Sequence, residues 1–311
     1  MVLLLGEIDL SLSAVAPLCG AVMAILITRH HWPAAQAIIA ALLVGVAIGA
    51  VNGFFVAVVR MPSFIVTLAG FIGYQGVLQL ILGTQTSLQV YDKTVDAIAV
   101  TNLNDFLDIT LPLLGLVVYV GANFFQYSMR RRRNLIVPPI AQFLLQMGVV
   151  AVVVIGAMVL FASVPYGGTP LALVLTLALV IATWLLLTKT AFGRHVYAVG
   201  GNLEAARRAG VRVAGLKIAM FSLASCLAAV AGIYGVSRTT TAFTQIDQTL
   251  LLYSIAAAVI GGVSMFGGRG SVWSVIPGAL VVYILVNGLA LLNEPAAVVL
   301  IVQGADRKSV V

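Results

Sequence analysis

Two carboxylates stand inside an otherwise apolar run, Glu7 and Asp9 in Gly6-Glu7-Ile8-Asp9-Leu10-Ser11. A charge at mid-bilayer costs about 2.5 kcal/mol or more on insertion scales, so acids in such a run need a partner, a cavity or a break in the helix. The flanking glycine and serine predict a broken or unwound helix whose freed backbone groups line a cavity or pack against neighbours. The alternative role for Asp9 is structural, capping the N-terminus of a half-helix with its carboxylate. Neutral polar groups follow on apolar stretches at Asn52, Thr67, Gln75, Gln79 and Asn287. They would hydrogen-bond a hydroxylated solute, or else bond between helices. Glu7, Asp9, Asn52, Thr67 and Gln75 are the candidate lining of a translocation path.

Enzymatic constellations are absent from the sequence. His30 and His31 sit beside Trp32, an interfacial composition, and His195 stands alone in a basic segment. No HExxH, CxxC, GxSxG or GxxxxGK[ST] pattern occurs; each of those carries a metal, redox, nucleophile or phosphate site. The glycines Gly261, Gly262, Gly267, Gly268 and Gly270 superficially suggest a phosphate loop, but the Lys-Ser/Thr ending is missing and two hydrophobic runs flank them. A tight helix-to-helix turn is the expectation there. No catalytic residue, metal ligand or cofactor is expected, and the chain itself is not read as an enzyme. Cys19 and Cys226 lie in apolar runs, where free cysteine behaves as a small hydrophobe.

The elements that must position these residues follow from hydropathy. Of 311 residues, 61% are hydrophobic and 9% charged, and mean hydropathy is +1.12. Too little polar surface remains to coat a water-soluble globule, for which roughly a quarter of residues would be charged. A bilayer core of about 30 Å needs about 20 apolar residues per helix. By that measure nine crossings are predicted: 2–28, 34–59, 63–83, 111–128, 137–162, 170–188, 213–236, 250–265 and 272–292, with a partial tenth run after Pro295. The fold class is all-α, a polytopic transmembrane helical bundle with broken helices. Barrel strands would need alternating segments that are not present. Asn52-Gly53 and Asn287-Gly288, each ending an apolar helix, suggest an internal repeat.

Charge sets the orientation. With the N-terminus inside, Arg60, the run Arg130 to Arg133, the six basic residues from Lys189 to Lys217, and Arg269 are all cytoplasmic, twelve of seventeen. Arg29, Lys93 and Arg238 fall outside, while the outer segment from Gln85 to Thr110 carries Asp92, Asp96, Asp105 and Asp108. That segment reads as a solvated loop with a short interfacial helix. The net charge of +7 therefore marks retained loops. Without a basic and aromatic surface, nucleic-acid binding is excluded. The apolar run starts at Met1 with no basic residue before it, so no cleavable secretory leader is recognised.

The inner segment 189–213 is the more informative loop. Asn202 can cap a helix whose first turn holds Glu204, Ala205 and Ala206, with Gly210 as a left-handed terminator after Arg207 and Arg208. Acid then lies at the positive end and base at the negative end of the helix dipole. A two-turn helix is unstable alone in water, so it must dock on something. Anionic lipid headgroups are one surface on which it would rest.

Glu204-Ala205-Ala206 followed by Gly210 resembles the EAA loop of ABC-importer permeases, the coupling segment that fits a groove on the ATPase subunit. In the expected order stand Gly6 to Ser11 (GEIDLS), Arg60 to Leu68 (RMPSFIVTL), Thr190 to Asn202 (TAFGRHVYAVGGN) and Ala258 to Trp273 (AVIGGVSMFGGRGSVW). Together these are similar to the monosaccharide branch of the permease family shared with branched-chain amino acid importers. The basic stretch Arg130 to Arg133 and the apolar hairpin after it resemble the xylose-type permeases. The resemblance implies one permease domain, 1–304, with a coupling loop at about 189–213 and an atypical tail, 305–311. It implies a monosaccharide, D-xylose or another pentose, as solute, and a homodimeric pore in a bacterial inner membrane. Its implied partners are cytoplasmic ABC ATPase subunits and a periplasmic sugar-binding protein. Asn202, Glu204, Ala205, Ala206, Arg207 and Gly210 become the expected ATPase-coupling residues. The family carries at least one further helix before the GEIDLS motif, and Asp306 to Val311 depart from its pattern, so the chain is expected to be truncated at both ends. The competing expectation is a secondary transporter or channel without an ATPase, with Glu7 and Asp9 as intramembrane proton or cation sites.

Overall fold

The computed structural model describes residues 1–133, 139–163, 168–246 and 248–292. The expected tail 305–311 and the run after Pro295 lie outside them. A short 3-10 helix, Val2–Leu5, precedes α1 (Leu12–Thr28), α2 (Ala34–Ala57) and α3 (Ser63–Leu82). Then come β1 (Ser87–Gln89), α4 (Lys93–Val100), α5 (Asp105–Arg132), α6 (Ile140–Ser163) and α7 (Leu171–Lys189). The chain continues through α8 (Ala191–Gly201), α9 (Leu203–Arg208), α10 (Val213–Thr239), β2 (Thr241–Phe243), α11 (Gln248–Ile260) and α12 (Val275–Leu291). Among the described residues six helices, α2, α3, α5, α6, α7 and α10, are long and apolar enough to cross a membrane. The protein is a multi-pass helical membrane protein.

Three of the nine expected crossings are shorter or interrupted. The first, 2–28, is split at Gly6 (φ +72), and α1 has 17 residues, about 26 Å of the roughly 30 Å needed. The predicted break at Gly6 to Leu10 is present. The crossings expected at 250–265 and 272–292 are helices of 13 and 17 residues. The first stops at Ile260 because Gly261-Gly262 turns the chain, Gly262 taking φ +86.

Two compact units divide the chain, 1–96 with 177–311, and 97–176. In the first, α10 packs against α1 and α2 through backbone-close contacts of small residues. A Cβ on Gly49 would lie 2.4 Å from Phe221 O, one on Gly53 2.7 Å from Ile218 Cα, and one on Gly232 1.8 Å from Ala16 O. Lipid offers no hydrophobic drive between helices, so approach of this kind, at one small residue per turn, is what holds them. Ala37, Ala41, Gly45, Gly49 and Gly53 form that stripe on α2.

The ends of this unit sort as the charge pattern requires. At one end Leu4 O accepts from Gly268 N (2.9 Å) and Tyr197 OH donates to Gly270 O (3.0 Å). This joins the N-terminal turn, α8 and the glycine loop, three stretches expected inside. At the other, Arg29 donates to Ile81 O, Leu82 O and Gln85 Oε1 at 3.1 to 3.2 Å. There β1 and β2 pair antiparallel, Leu88 opposite Ala242, so the outer loops also meet.

In the second unit α5 and α6 form a hairpin with Tyr127 stacked on Phe143, centroids 4.6 Å apart. Asp108 accepts from the Thr169 amide (2.7 Å) and hydroxyl, and Leu103 N donates to Thr169 O. The cluster Arg130 to Arg132 closes α5 at its C-terminus, where the helix dipole favours cations.

Candidate functional site

The segment Glu7 to Leu10, after the left-handed turn at Gly6, is non-helical, and its amides must find partners without water. They find them on α3. Ile8 N donates to Ser63 Oγ (3.3 Å) and Leu10 N to Thr67 Oγ1 (3.1 Å). Residues i and i+2 of an extended chain are about 6.6 Å apart, and i and i+4 of a helix are offset by about 6 Å. Two hydroxyls four apart on α3 therefore match two amides two apart. Thr67 is fully buried, and its one hydroxyl proton has Ser63 O (2.8 Å) and the more distant Ile8 O (3.3 Å) as acceptors.

A side-chain chain runs from the same segment. Asp9 Oδ1 accepts from Ser11 N (3.0 Å) and Ser11 Oγ (2.6 Å). Asn52 Nδ2 donates to Ser11 Oγ (2.9 Å), and Tyr74 OH donates to Asn52 Oδ1 (2.7 Å). Asp9 is 7% exposed and Asn52 2%. Asp9 thereby bends the chain at Ser11, and it is Ser11, not Asp9, that stands at the N-cap of α1, with no side-chain cap bond. The second oxygen of Asp9, Oδ2, is buried with no hydrogen-bond partner, so the carboxyl keeps unused acceptor capacity. Glu7 takes a different partner. It forms an ion pair with Lys217 on α10, the side chains 17% and 14% exposed.

Of the sequence-derived set, Asp9, Asn52 and Thr67 converge on one cluster, and Glu7 stands at its edge. Gln75 is half-buried on α3, its side chain without a hydrogen bond among the described residues. Asn287 is exposed, unlike Asn52, so the two Asn-Gly dipeptides do not share an environment. Ser11, Tyr74 and Lys217 were missed. Tyr74 sits seven residues, two turns, beyond Thr67 on α3, a spacing that puts both on one face; nothing in the sequence links Lys217 to Glu7.

The inner segment holds two helices where one was expected. α8 opens on Thr190, whose hydroxyl accepts from Gly193 N (3.3 Å). Its glycines argue against a helix, yet a Cβ on Gly193 or Gly200 would fall 1.9 Å from Leu187 O or Leu4 O. Tertiary contact overrides propensity there. Tyr197, outside the spans, is held by Gly270, and burial pushes its phenol above the ordinary range.

α9 is capped at both ends as expected. Asn202 Oδ1 accepts from Ala205 N (2.9 Å). At the far end Gly210 (φ +86) donates to Arg207 O (3.0 Å) and Val211 N to Ala206 O (3.1 Å). These are the two bonds of a Schellman motif. Ala206, 5% exposed, anchors the helix in an apolar cluster with Leu4, Leu5, Val196, Val199, Leu216 and Met220. Glu204, Ala205, Arg207 and Arg208 all face outward, with Glu204 and Arg207 paired at 3.2 Å. Ala206 therefore supports the helix from below, leaving the others to meet a partner. Beside α9, a groove of about 440 Å³ is lined by Phe192, His195, Gly210, Arg212 and Leu216, among others.

Residues 1–305 match the family described as branched-chain amino acid transport system / permease component. The chain is similar to the xylose transport system permease protein XylH of Haemophilus influenzae, 35% identical over 97% of this chain and 80% of that protein. It is also similar to the fructose import permease protein FrcC of Rhizobium meliloti (31% identical; 94% and 66% covered). A third relative is the autoinducer 2 import system permease protein LsrC of Yersinia pestis (29%; 95% and 66%). No solved structure matches.

Proposed function

The chain belongs to the branched-chain amino acid transport system permease family, and from that premise we propose that it is the membrane subunit of an ATP-driven monosaccharide importer, with D-xylose or another pentose as solute. Cytoplasmic ABC ATPase subunits drive it, a periplasmic sugar-binding protein delivers the solute, and two copies line the pore in a bacterial inner membrane. The resemblance to XylH supports the pentose. The observation that carries the coupling role is α9 itself. Six residues cannot hold a helix in water, yet this one is capped at both ends, seated on Ala206, and turns Glu204, Ala205, Arg207 and Arg208 outward. That is the form of a docking lever. Asp9 then belongs to a moving segment beside the path, and Asn52 on α2 and Thr67 on α3 are the residues it is bonded to.

The test is co-expression of the chain with an ABC ATPase and a sugar-binding protein of the same kind of importer, followed by labelled-pentose uptake. Glu204→Arg and Gly210→Pro are expected to abolish uptake while membrane insertion persists. Unchanged uptake with normal ATPase binding would refute the coupling role. A second reading is favoured by one observation, the unpartnered Oδ2 of Asp9, which suits a proton or cation site in a secondary transporter. Uptake that survives ATP depletion under an imposed proton gradient would select it.

A further inference from the structure

We infer that the Glu7–Lys217 ion pair is the tie that carries displacement of the α9–α10 junction into the non-helical segment Gly6 to Leu10, making Glu7 and Lys217 positioning residues for transport. This rests on the proposed coupling role of α9. Lys217 lies in the second turn of α10, just after the Schellman turn that ends α9. Glu7 lies two residues before Asp9, in the only described stretch where a hydrophobic run leaves helical form beside α3. The two are far apart in sequence and meet across the apolar cluster of Leu4, Leu5, Leu216 and Met220. Apolar packing there is non-directional and lets surfaces slide. An ion pair whose members are 17% and 14% exposed does not. Separating them would strand a carboxylate and an ammonium with little water to replace the partner, so the two segments move together. From Glu7 the connection continues through Leu10 N to Thr67 on α3, and through Asp9 and Ser11 to Asn52 on α2. A pull on α9 thus reaches both helices that pack on the non-helical segment.

The experiment uses the full chain with its ATPase and binding protein, carrying Ile8→Cys as the probe and Cys19→Ala and Cys226→Ala to remove native thiols. Labelling by a small permeant maleimide is compared in Glu7→Gln, Lys217→Gln and the exchanged pair Glu7→Lys with Lys217→Glu. Each single variant is expected to raise the labelling rate about fivefold, and the exchanged pair to return it to within about twofold of the starting protein. Pentose transported per ATP hydrolysed falls in the single variants and recovers in the pair, a split that a purely structural loss would not give. Glu7→Asp keeps the charge but withdraws it by one methylene. It gives an intermediate rise and serves if the neutral variants fail to accumulate. Unchanged labelling in the single variants, or labelling that stays high in the exchanged pair, overturns the tie. The labelling pattern as expected, in a chain that binds no ATPase, would support the tie and overturn the importer.

Discussion

Gly210→Ala isolates a single physical cost. Gly210 holds φ +86 at the turn that ends α9, and a Cβ built there meets no atom within 4 Å. Steric clash with neighbours therefore contributes nothing, and the entire penalty is the left-handed conformation, about 1–2 kcal/mol for a residue with a Cβ. That amounts to a roughly 5- to 30-fold fall in the ratio of closed to open turn. The amides of Ala209, residue 210 and Val211, which donate to Ala205, Arg207 and Ala206 carbonyls, should lose hydrogen-exchange protection by that factor. Exchange elsewhere in α10 should not change. Gly201→Ala is the control. Its Cβ also meets nothing within 4 Å, but its φ is not in the left-handed region, so the substitution is neutral or stabilises by about 0.5–1 kcal/mol. Gly210→Asn should fall between, since asparagine tolerates the left-handed region. Equal loss of protection in Gly201→Ala and Gly210→Ala, or none in either, would refute the reasoning that the turn's backbone geometry holds α9 in place.

Asn202→Ala removes the cap on Ala205 N and should cost α9 about 1 kcal/mol, read as faster exchange at Ala205, whereas Asn202→Asp should retain protection. Gly49→Leu places a side chain where 2.4 Å separates a Cβ from Phe221 O; the variant is expected not to accumulate in membranes, while Gly73→Leu, which meets nothing within 4 Å, should accumulate normally by immunoblot. Asn52→Leu leaves the buried Ser11 and half-buried Tyr74 hydroxyls short of a partner and should destabilise the detergent-solubilised protein by about 1–3 kcal/mol. Tyr74→Phe, which loses only the outer bond of the chain, should cost about 0.5–1.5 kcal/mol in the same thermal melt.

The membrane spans were legible because each is a local property, twenty or so apolar residues in a row. The break at Gly6 to Leu10 was legible for the same reason: two acids and a glycine cannot continue a lipid-buried helix cheaply. The caps of α9 are also local, and Asn202 and Gly210 do what their types dictate. What the sequence withheld is non-local. No pattern in either stretch announces that Lys217 meets Glu7, or that Leu88 pairs with Ala242. α8 was hidden because its glycines lower helix propensity, and their purpose, close approach to Leu187 and Leu4, exists only in three dimensions. The shortness of α11 was hidden by an apolar run that continues to Met265 past the turn at Gly261-Gly262.

The glycine and alanine stripe on α2 bears on how such a chain can change over time. Its meeting with α10 is a fit between main chains, satisfied by small residues at fixed intervals and indifferent to the outward-facing side chains. Sequence on the outer faces of those two helices can drift without loosening the joint, and the stretch between them can be lengthened or replaced without renegotiating it. Any single bulky replacement on the stripe, by contrast, has nowhere to go. Divergence should therefore be steep around the joint and almost absent within it.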